Sequence, residues 1–546
     1  MELSSPERTC LAGQNFDVLI IGGGINGIAI ARECARSGKR IAVVEQNDFA
    51  SGSTSRSTRI IHGGLRYLEH GEIDLVRESL RERERLLRRY PNLVRPMQFL
   101  LALNQQQHPF MRSSLAIRTG LWLYHYWAGG RRNPVHDAAV FERQLDAGNS
   151  WSVYCYEDAQ CEFPERLVAE WLAEAEASGV ALCNYTEVLE IQCRNGRVAG
   201  ARLRDTISGT EFEIAASQIV NAAGPWADQV LRASALGSKT LIGGVRGSHI
   251  VLPLFSGAPV TAIYAEAQDG RPVFVIPWNQ QVLVGTTEIA DTGDPGKANP
   301  SADEISYLFE GFTRLFPRSG LTRADVRYAF AGVRPLPFSP GKKISAITRK
   351  HRIHDHAHDG AAGLLSVVGG KLTTAMSLAR EVARKLGIGA SEPANVLAAP
   401  GPASGIESSL QQWAHQTACK ACISEGSAHA IAAWHGKRAM AIARAASLHE
   451  NFRAPLCDHS EHLVAEAVEA VMHEFAVNLG DILLRRVPVA LGPCWSESCS
   501  LQAATRIGAV LGWNREQIYY ELDRFEQERM NFLHPASHMV PTPKAA

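Results

Sequence analysis

The fold of this chain is decided by the stretch Phe16-Asp17-Val18-Leu19-Ile20-Ile21-Gly22-Gly23-Gly24-Ile25-Asn26-Gly27. Its apolar half is typical of a parallel strand that is covered on both faces, and Gly22, Gly24 and Gly27 fit the pattern G-x-G-x-x-G. The first glycine allows a tight turn, the second lets the backbone approach a pyrophosphate, and the third lets a helix pack on the strand. The stretch therefore predicts a strand, a turn and a helix arranged around a dinucleotide.

The residues after this turn complete the nucleotide-binding unit. A helix over about 25–37 would direct its free N–H groups and the positive end of its dipole at the phosphates. The next strand, 40–44, delivers Glu45 about 20 residues after the turn, where a carboxylate can accept hydrogen bonds from a ribose. Strand, glycine turn, helix, strand and acid follow one another in the order that a dinucleotide site requires.

The composition excludes several classes of protein. The 546 residues contain 56 Lys and Arg and 56 Asp and Glu, so no global charge attracts nucleic acid. Eleven scattered cysteines fit a reducing compartment better than a secreted protein. The first fifteen residues lack the apolar segment of a signal peptide, and no apolar run approaches the ~20 residues of a membrane span. We expect a protein on the cytoplasmic side, in solution or lying on a membrane surface.

The cysteines predict no metal site. Cys419 and Cys422 form the one C-x-x-C pair of the sequence, and zinc or an iron–sulfur cluster would need a second pair at comparable spacing. Cys494 and Cys499 do not supply that pair. We therefore interpret these residues as ordinary thiols and assign no metal.

Three stretches between the nucleotide-binding unit and residue 130 bear on function. The hydroxyl-rich run 46–59 is either a flexible linker or a loop that cradles a cofactor, and its place directly after Glu45 favours the cradle. Helical periodicity over 74–90 indicates a solvated helix with ion pairs, to which we assign no chemistry. The aromatic and basic stretch 110–127 is either a core helix or a helix lying in a membrane interface. In the second case, its anchors would be Trp122, Tyr124, Tyr126 and Trp127.

Strand and helix patterns divide the chain into three units. A second strand–glycine–helix unit, with a lysine in its turn, spans 364–374, and alternating patterns over 248–285 predict an inserted, mostly antiparallel sheet. Helical periodicity begins after the Pro/Gly stretch 399–402. We predict a discontinuous nucleotide-binding domain at 15–95, 150–235 and 340–390, an inserted domain at 96–149 and 236–339, and a helical domain at 405–535.

Eight ordered motifs across nearly the whole chain resemble those of the FAD-dependent glycerol-3-phosphate dehydrogenases, which are similar to D-amino-acid oxidase. The motifs are IGGGING (21–27), STRIIHGGLRYLE (57–69), NAAGPW (221–226), GSHI (247–250), FVIPW (274–278), GTT (285–287), GVRPL (332–336) and GGKLTT (369–374). The resemblance implies an α/β fold in which a discontinuous Rossmann-type FAD-binding domain carries an inserted antiparallel-sheet substrate domain. A C-terminal α-helical domain would follow.

The resemblance also implies an activity and partners. The cofactor would be FAD, and the reaction would be oxidation of glycerol 3-phosphate to dihydroxyacetone phosphate with electron transfer to a membrane quinone. The expected partners are therefore glycerol 3-phosphate, a quinone and the inner face of the cytoplasmic membrane. A second copy of the chain, in a homodimer, is a further candidate partner, and no nucleic acid is expected.

The sequence departs from the family pattern in two places. It therefore specifies the substrate less closely than the flavin. Residues 162–167 read EFPERL where several members of the family carry an Asp-Ala-Arg-Leu type of segment, and the C-terminal domain matches the family loosely. One alternative is a related flavin oxidase or dehydrogenase for another small hydroxy or amino substrate. Another is a redox-sensing flavoprotein whose helical domain binds a partner.

The family resemblance predicts which residues would hold FAD. The turn at Gly369 and Gly370, with the helix that follows, would set N–H groups against the flavin edge that gains negative charge on reduction. The full predicted set is Gly22, Gly24, Ile25, Asn26, Gly27, Glu45, Ser57, Thr58, Val188, Ala223, Gly224, Gly369, Gly370, Leu372, Thr373 and Thr374.

Oxidation of a phosphorylated alcohol needs a group that takes the hydroxyl proton and cations that bind phosphate and stabilise an alkoxide. His62 and His249 are the candidate bases, because a neutral imidazole accepts a proton near pH 7. Arg334 and Lys371 are the cations that we assign to catalysis. The predicted substrate-binding residues are Arg66, Tyr67, Arg334, Arg349, Lys371 and Thr373.

Overall fold

The computed structural model describes residues 11–69, 71–104, 114–128, 141, 145, 151–236, 239–267, 269–388 and 404–534. Within these residues we number the strands β1 to β17 and the helices α1 to α15 in chain order.

The first sheet is built around the predicted nucleotide-binding strand. Its described strands are β1 Asn15–Ile21, β2 Ile41–Val44, β6 Ala181–Cys183, β7 Thr186–Arg194, β8 Arg197–Asp205, β9 Glu211–Asn221, β16 Arg352–Asp355 and β17 Leu364–Val368. The order is β16-β17-β9-β1-β2-β6, and β8 joins β7 to β9. The pairs β17–β9, β9–β1, β1–β2 and β2–β6 are parallel. The parallel core with helices is the predicted α/β arrangement.

Strand β1 is buried on both faces, as its sequence predicts. Val18 and Ile20 face a core that includes the helices on one side of the sheet, whereas Leu19 and Ile21 face a core formed with β7 and β8. None of the four is more than 4% exposed. Because neighbouring strands run parallel to β1, their carboxyl ends meet at the edge where the glycine turn begins.

The second sheet is mostly antiparallel, and it carries the substrate half of the predicted site. Its described strands are β3 Ile60–Ile61, β4 Val94–Asn104, β5 Trp151–Cys161, β10 Ile242–Pro253, β11 Ala262–Glu266, β12 Pro272–Trp278, β13 Gln281–Gly285, β14 Ile289–Ala290 and β15 Tyr328–Pro337. Among its described pairs, β4–β11 is the parallel exception.

The strand pairing places one segment of the predicted nucleotide-binding domain in the second sheet. Strand β5 pairs with β4 along its whole length, from Val94 opposite Cys161 to Asn104 opposite Trp151. Residues 151–161 therefore belong to the second sheet, whereas we had assigned 150–235 to the nucleotide-binding domain. Eleven consecutive residue pairs fix this register, and local sequence patterns do not show which distant strand is the partner.

Helices cover the first sheet and build the C-terminal part of the chain. The helices before residue 390 are α1 Ile25–Ala35, α2 Arg66–Glu69, α3 Ile73–Arg89, α4 Ser114–Trp127, α5 Pro164–Ala177, α6 Ala227–Ala233, α7 Ala302–Leu315 and α8 Ala375–Lys385. The C-terminal helices are α9 Ser404–Ala421, α10 Glu425–His435, α11 Ala439–Leu448, α12 Val464–His473, α13 Leu479–Asp481, α14 Glu497–Leu511 and α15 Arg515–Phe532. Among the described helices, none combines the length and the apolar character that a membrane span requires.

Buried ion pairs dock the C-terminal helices on the first two-thirds of the chain. Arg486 donates to both carboxylate oxygens of Asp48, at 2.8 and 2.7 Å, and Arg485 donates to the same carboxylate. Burial acts to raise the pKa of Asp48, but the charges of Arg486 and Arg485 outweigh it and lower that pKa. Removing one member of such a buried pair costs about 3–5 kcal/mol. The contact therefore holds the helical part against the loop that follows Glu45.

Candidate active site

A cavity of about 480 Å³ is lined by residues of both sheets. Its wall includes the residues that directly follow β1, β2, β9 and β17. Ligands of α/β proteins bind outside the carboxyl ends of parallel strands, and this volume is typical of a ligand site. The cavity is therefore the candidate active site.

Most of the predicted cofactor residues line this cavity. Gly27 and Thr374 lie outside its wall. The predicted residues that line it are Gly22, Gly24, Ile25, Asn26, Glu45, Ser57, Thr58, Val188, Ala223, Gly224, Gly369, Gly370, Leu372 and Thr373.

The first glycine turn has the geometry that its three glycines predict. Gly22 has a φ of +106°, and a Cβ there would lie 2.6 Å from the carbonyl oxygen of Ala222. A Cβ on Gly27 would lie 1.8 Å from the carbonyl oxygen of Gly22, so α1 packs directly on the turn. Gly24 lines the cavity, and the nearest atom to a Cβ there would be the Thr54 hydroxyl oxygen at 3.3 Å. Gly24 is therefore the position where the backbone itself faces a ligand.

Glu45 supports this turn as well as facing the cavity. Its Oε2 accepts from the backbone N–H of Gly23 at 2.7 Å, and its Oε1 accepts from that of Asn47 at 3.0 Å. Burial raises the pKa of the carboxyl group, although these backbone donors act to lower it. Each carboxylate oxygen can accept a second hydrogen bond, so the group can also bind a ribose hydroxyl.

The second glycine turn meets the first through Asn26. Gly369 and Gly370 have φ values of +83° and +101°, and a Cβ on Gly370 would lie 2.4 Å from Nδ2 of Asn26. That Nδ2 donates to the carbonyl oxygen of Gly369 at 3.3 Å. Among the described residues, the Oδ1 of Asn26 has no hydrogen-bond partner. The two turns thus form one continuous wall with an acceptor left for a ligand.

Sequence reasoning did not name several polar residues of the wall, among them Thr54, Arg56 and Thr348. The hydroxyl oxygen of Thr54 accepts from the N–H of Ile25 at 3.1 Å and so caps the first turn of α1. The hydroxyl-rich run 46–59 pointed to a cradle, but the pattern alone could not single out this hydroxyl. Among the residues of that run, the prediction named Ser57 and Thr58.

Among the described cations of the cavity wall, Lys371 makes the fewest hydrogen bonds. Its Nζ lies 3.9 Å from the centre of the Tyr67 ring, and it has no hydrogen-bond partner among the described residues. Desolvation lowers its pKa to about 7, against the charges of Glu72 and Glu78, which act to raise it. An ammonium group held in this way is available to an anionic ligand.

Arg334 and Arg349 lie in the same wall. Arg334 donates from Nη2 to the hydroxyl oxygen of Thr286 at 2.8 Å and from Nη1 to the carbonyl oxygen of Thr287 at 3.3 Å. Arg349 forms an ion pair with Glu288 at 2.6 Å, and its Nη1 has no partner among the described residues. Desolvation lowers the pKa of Arg334, and the charge of Glu288 opposes that shift. Both guanidinium groups are thus fixed in place at the cavity.

The two predicted bases differ in their surroundings. His249 is 1% exposed, its Nε2 lies 2.9 Å from the hydroxyl oxygen of Thr58, and its ring stacks on Phe330. His62 is half-buried in the wall, and its backbone N–H donates to Thr373 at 3.1 Å. Desolvation and then the charge of Lys371 lower the pKa of His62 to about 3, so its ring is neutral at pH 7. Desolvation, and then the charges of Arg334 and Arg59, lower the pKa of His249 as well, so it is the greater exposure of His62 that favours it as the base.

A buried carboxylate supports the segment that carries His62. Asp158 accepts from the N–H of Gly63 at 3.1 Å, from the hydroxyl of Tyr124 at 2.8 Å and from Nη1 of Arg83 at 2.8 Å. Arg83 lies on α3, the helix to which we assigned no chemistry. It acts through this support and does not line the cavity.

The same contact corrects one part of the membrane prediction. Tyr124 is 1% exposed and donates to Asp158, so it cannot anchor a membrane surface. Trp122 and Tyr126, on the other side of α4, are 57% and 66% exposed and stack with ring centroids 5.8 Å apart. Trp127 is half-buried, with the guanidinium of Arg77 over its ring. The helix is thus partly core and partly an exposed aromatic surface. Residues 110–113 and the side chain of Arg66, a predicted substrate ligand, lie outside the described part of the structure.

Known families match both the cavity-bearing part and the C-terminal part of the chain. Residues 17–376 match the FAD dependent oxidoreductase family, and residues 397–518 match the C-terminal domain of alpha-glycerophosphate oxidase. A glycerol-3-phosphate dehydrogenase of Synechocystis is 35% identical over 94% of this chain and 96% of its own length. The chain belongs to the FAD-dependent glycerol-3-phosphate dehydrogenase family. The family resemblance of the motifs, the cofactor FAD and the predicted fold class are thereby confirmed.

Two further proteins are similar to this flavoprotein, one in sequence and one in structure. A D-erythritol 1-phosphate dehydrogenase of Brucella abortus is 37% identical over 68% of this chain and 74% of its own length. The structure of the glycerol-3-phosphate dehydrogenase from Bacillus halodurans complexed with FAD superposes with a TM-score of 0.76, over 98% of each chain. At 22% identity, that superposition shows that the fold is shared.

The residues of the cavity fit FAD. At Gly22 and Gly370 the backbone has a positive φ and no room for a side chain, so both turns present main chain to the ligand. The carboxylate of Glu45 and the unpaired Oδ1 of Asn26 supply acceptors for hydroxyl and N–H groups of the cofactor. The flavoprotein is therefore an FAD-dependent oxidoreductase whose cavity wall also carries Arg334, Arg349 and Lys371.

Proposed function

We propose that this flavoprotein oxidises sn-glycerol 3-phosphate to dihydroxyacetone phosphate and delivers the electrons to a quinone at the membrane. The observation that carries this proposal is Lys371 in the cavity wall, whose ammonium group has no hydrogen-bond partner among the described residues, with Arg334 in the same wall. A dianionic phosphate needs such cations, whereas a neutral substrate leaves them unpaired in a desolvated site. The family relationship supports the same substrate.

The side chains divide the work of alcohol oxidation. When bound, FAD supplies the acceptor for the hydride that leaves the carbinol carbon. His62 takes the hydroxyl proton, because its ring is neutral and lies at the cavity wall. Lys371, whose charge acts on His62, stabilises the negative charge that develops on the substrate oxygen. Arg334 and the unpaired Nη1 of Arg349 supply positive charge to the phosphate.

The substrate phosphate also adjusts the two titrating groups. A dianion beside Lys371 favours its charged form. It also offsets the charge of Lys371, which after desolvation is the second cause of the lowered pKa of His62. Binding of the substrate therefore prepares both the cation and the base. A substrate without phosphate would do neither.

A longer phosphorylated polyol is the second candidate substrate. The relative from Brucella abortus is named for D-erythritol 1-phosphate and is 37% identical over 68% of this chain. The cations serve both substrates equally, because each carries the same phosphate. The relative kcat/KM for the two compounds decides between them.

Quinone delivery is supported by the exposed aromatic pair on α4. Trp122 and Tyr126 form a stacked, exposed surface, and Arg118 of the same helix is also exposed. Aromatic rings at the headgroup level and a basic rim are typical of an interfacial helix. We assign membrane attachment to this surface.

Steady-state turnover with identified products tests the proposal. We expect purified enzyme to form one dihydroxyacetone phosphate for each soluble quinone reduced, and no stoichiometric peroxide in air. Equal amounts of peroxide and ketone would show an oxidase. Turnover of erythritol 1-phosphate with a larger kcat/KM than glycerol 3-phosphate would transfer the substrate assignment to the longer polyol.

A further inference from the structure

Three cysteines and a histidine meet in the C-terminal helical part, far from the FAD cavity. The ligand atoms of Cys457, His459 and Cys499 lie within 4.8 Å of one another. The Sγ of Cys499 is 3.8 Å from Nδ1 of His459 and 3.4 Å from the carbonyl oxygen of Cys494, whose thiol lies near those of Cys457 and Cys499 and interacts with them. We name these four residues the Cys3His cluster.

The spacing of the cluster matches tetrahedral zinc coordination. Zinc binds thiolate sulfur at about 2.3 Å and imidazole nitrogen at about 2.0–2.1 Å, so tetrahedral ligands place S and N roughly 3.6 Å apart and two sulfurs roughly 3.8 Å apart. The S–N distance of 3.8 Å between Cys499 and His459 is close to this value.

The fold presents the ligands from two separate segments. Cys457 and His459 lie on a loop that is closed by the bridge between Pro455 and Leu463. Cys494 precedes α14, and Cys499 lies in the first turn of that helix, where the helix dipole favours a thiolate. The Ser496 hydroxyl lies 3.4 Å from the Sγ of Cys499 and can donate to it, which is the outer-shell support that metal ligands commonly have.

Two other groups of potential metal ligands are already neutralised by cations. Asp359, which lies beside two histidines, holds the ammonium group of Lys239 at 3.0 Å. Glu474, which lies beside His435, holds the guanidinium groups of Arg166 and Arg438. Among the described groups, the Cys3His cluster is the one in which no lysine or arginine competes for the ligand atoms.

We propose that the Cys3His cluster binds one structural Zn²⁺ ion, which fastens the loop 454–463 to the start of α14. Four protein ligands leave no open coordination position, so the ion would stabilise the fold and not act in catalysis. The sequence alone gave no reason for a metal, because it contains no second C-x-x-C pair. The fold instead pairs Cys494 and Cys499 with ligands near position 457, and it leaves Cys419 and Cys422 exposed elsewhere. The proposal is independent of the substrate.

Metal analysis of the full-length flavoprotein tests this site. The protein would be produced with added zinc, dialysed against a weak chelator under reducing conditions, and measured for zinc and flavin content. We expect about one zinc per chain, at least a tenfold loss in Cys457→Ser and Cys499→Ser, and no change in the matched control Cys419→Ser/Cys422→Ser. Loading with Co²⁺ should give the strong visible bands of tetrahedral thiolate coordination, at longer wavelength than the flavin.

Variants of the two exposed ligands keep the test decisive if the buried cysteines are needed for folding. Cys494→Ser and His459→Ala should retain full flavin and lose zinc to the chelator at least tenfold faster than the control variant. Zinc no higher in the wild type than in Cys457→Ser/Cys499→Ser would overturn the proposal. So would zinc that follows Cys419 and Cys422, or a disulfide within the cluster in protein prepared under reducing conditions.

Discussion

The ammonium nitrogen of Lys371 lies 3.9 Å from the centre of the Tyr67 ring. The contact holds a desolvated cation over an aromatic face, and it leaves the hydrogen-bonding capacity of the cation for an anionic ligand. This arrangement matters because the charge of Lys371 can be lost within the physiological pH range.

The first prediction concerns that loss. Desolvation lowers the pKa of Lys371 from its usual value to about 7, so the free enzyme carries this charge below pH 7 and loses it above. The KM for glycerol 3-phosphate should therefore rise as the pH increases from 7 to 9. In Lys371→Arg the charge persists, so the rise should be much weaker. Steady-state kinetics of both proteins provide the measurement, and parallel pH profiles would show that the charge of Lys371 does not contribute to substrate binding.

The second prediction separates the two histidines. His62→Gln should lower kcat by about 10²–10⁴-fold, the usual contribution of a general base, with flavin still bound. His249→Gln should lower kcat far less, because that ring is buried against Phe330 and lies at Thr58. Stopped-flow reduction of the flavin measures both. An equal loss in the two variants would remove the assignment of His62 as the base.

The third prediction separates two glycines of one turn. Gly24→Val should fold and yield colourless protein, because a Cβ at this position meets the protein no closer than 3.3 Å but fills the space that faces the cofactor. Gly27→Val should not fold, because its Cβ would lie 1.8 Å from the carbonyl oxygen of Gly22. Circular dichroism and flavin absorbance distinguish the outcomes. A folded Gly24→Val protein with full flavin content would refute the placement of the pyrophosphate.

The fourth prediction concerns the exposed rings of α4. Trp122→Ala/Tyr126→Ala should keep its flavin and sediment several-fold less with anionic vesicles than the wild type, because it loses exposed aromatic area. The matched control is Tyr519→Ala/Tyr520→Ala, which removes two exposed rings from α15. If both variants sediment like the wild type, α4 is not the anchor.

The sequence predicted those parts of the site whose chemistry is local. The turn from Gly22 to Gly27 combines a strand, a helix and a steric requirement within twelve residues, so its structure follows from the pattern alone. The same holds for Gly369 and Gly370, where the lysine of the turn indicated an anion site. The helical character of residues 405–535 followed from periodicity in the same way.

Other features depend on contacts between distant segments, which no local pattern records. Tyr124 was placed among the membrane anchors because it lies in an aromatic run, yet its hydroxyl is bound by Asp158 in the second sheet. Arg83 belongs to the helix over 74–90 that the sequence predicts to be solvated, although its side chain is buried beside that same carboxylate. The Cys3His cluster was missed for a related reason, since its ligands come from segments almost forty positions apart.

Anaerobic reduction of the flavin by glycerol 3-phosphate tests the central claim most directly. We predict that the wild type and the surface variant Arg327→Ala bleach fully, and that Arg334→Ala needs at least roughly 30-fold more substrate, since loss of a desolvated charge contact costs about 2–5 kcal/mol. Flavin content and absorbance before mixing provide the folding control. If the bound flavin stays oxidised with glycerol 3-phosphate but is bleached by an unphosphorylated hydroxy or amino compound, the cations belong to the fold and the proposed substrate is wrong.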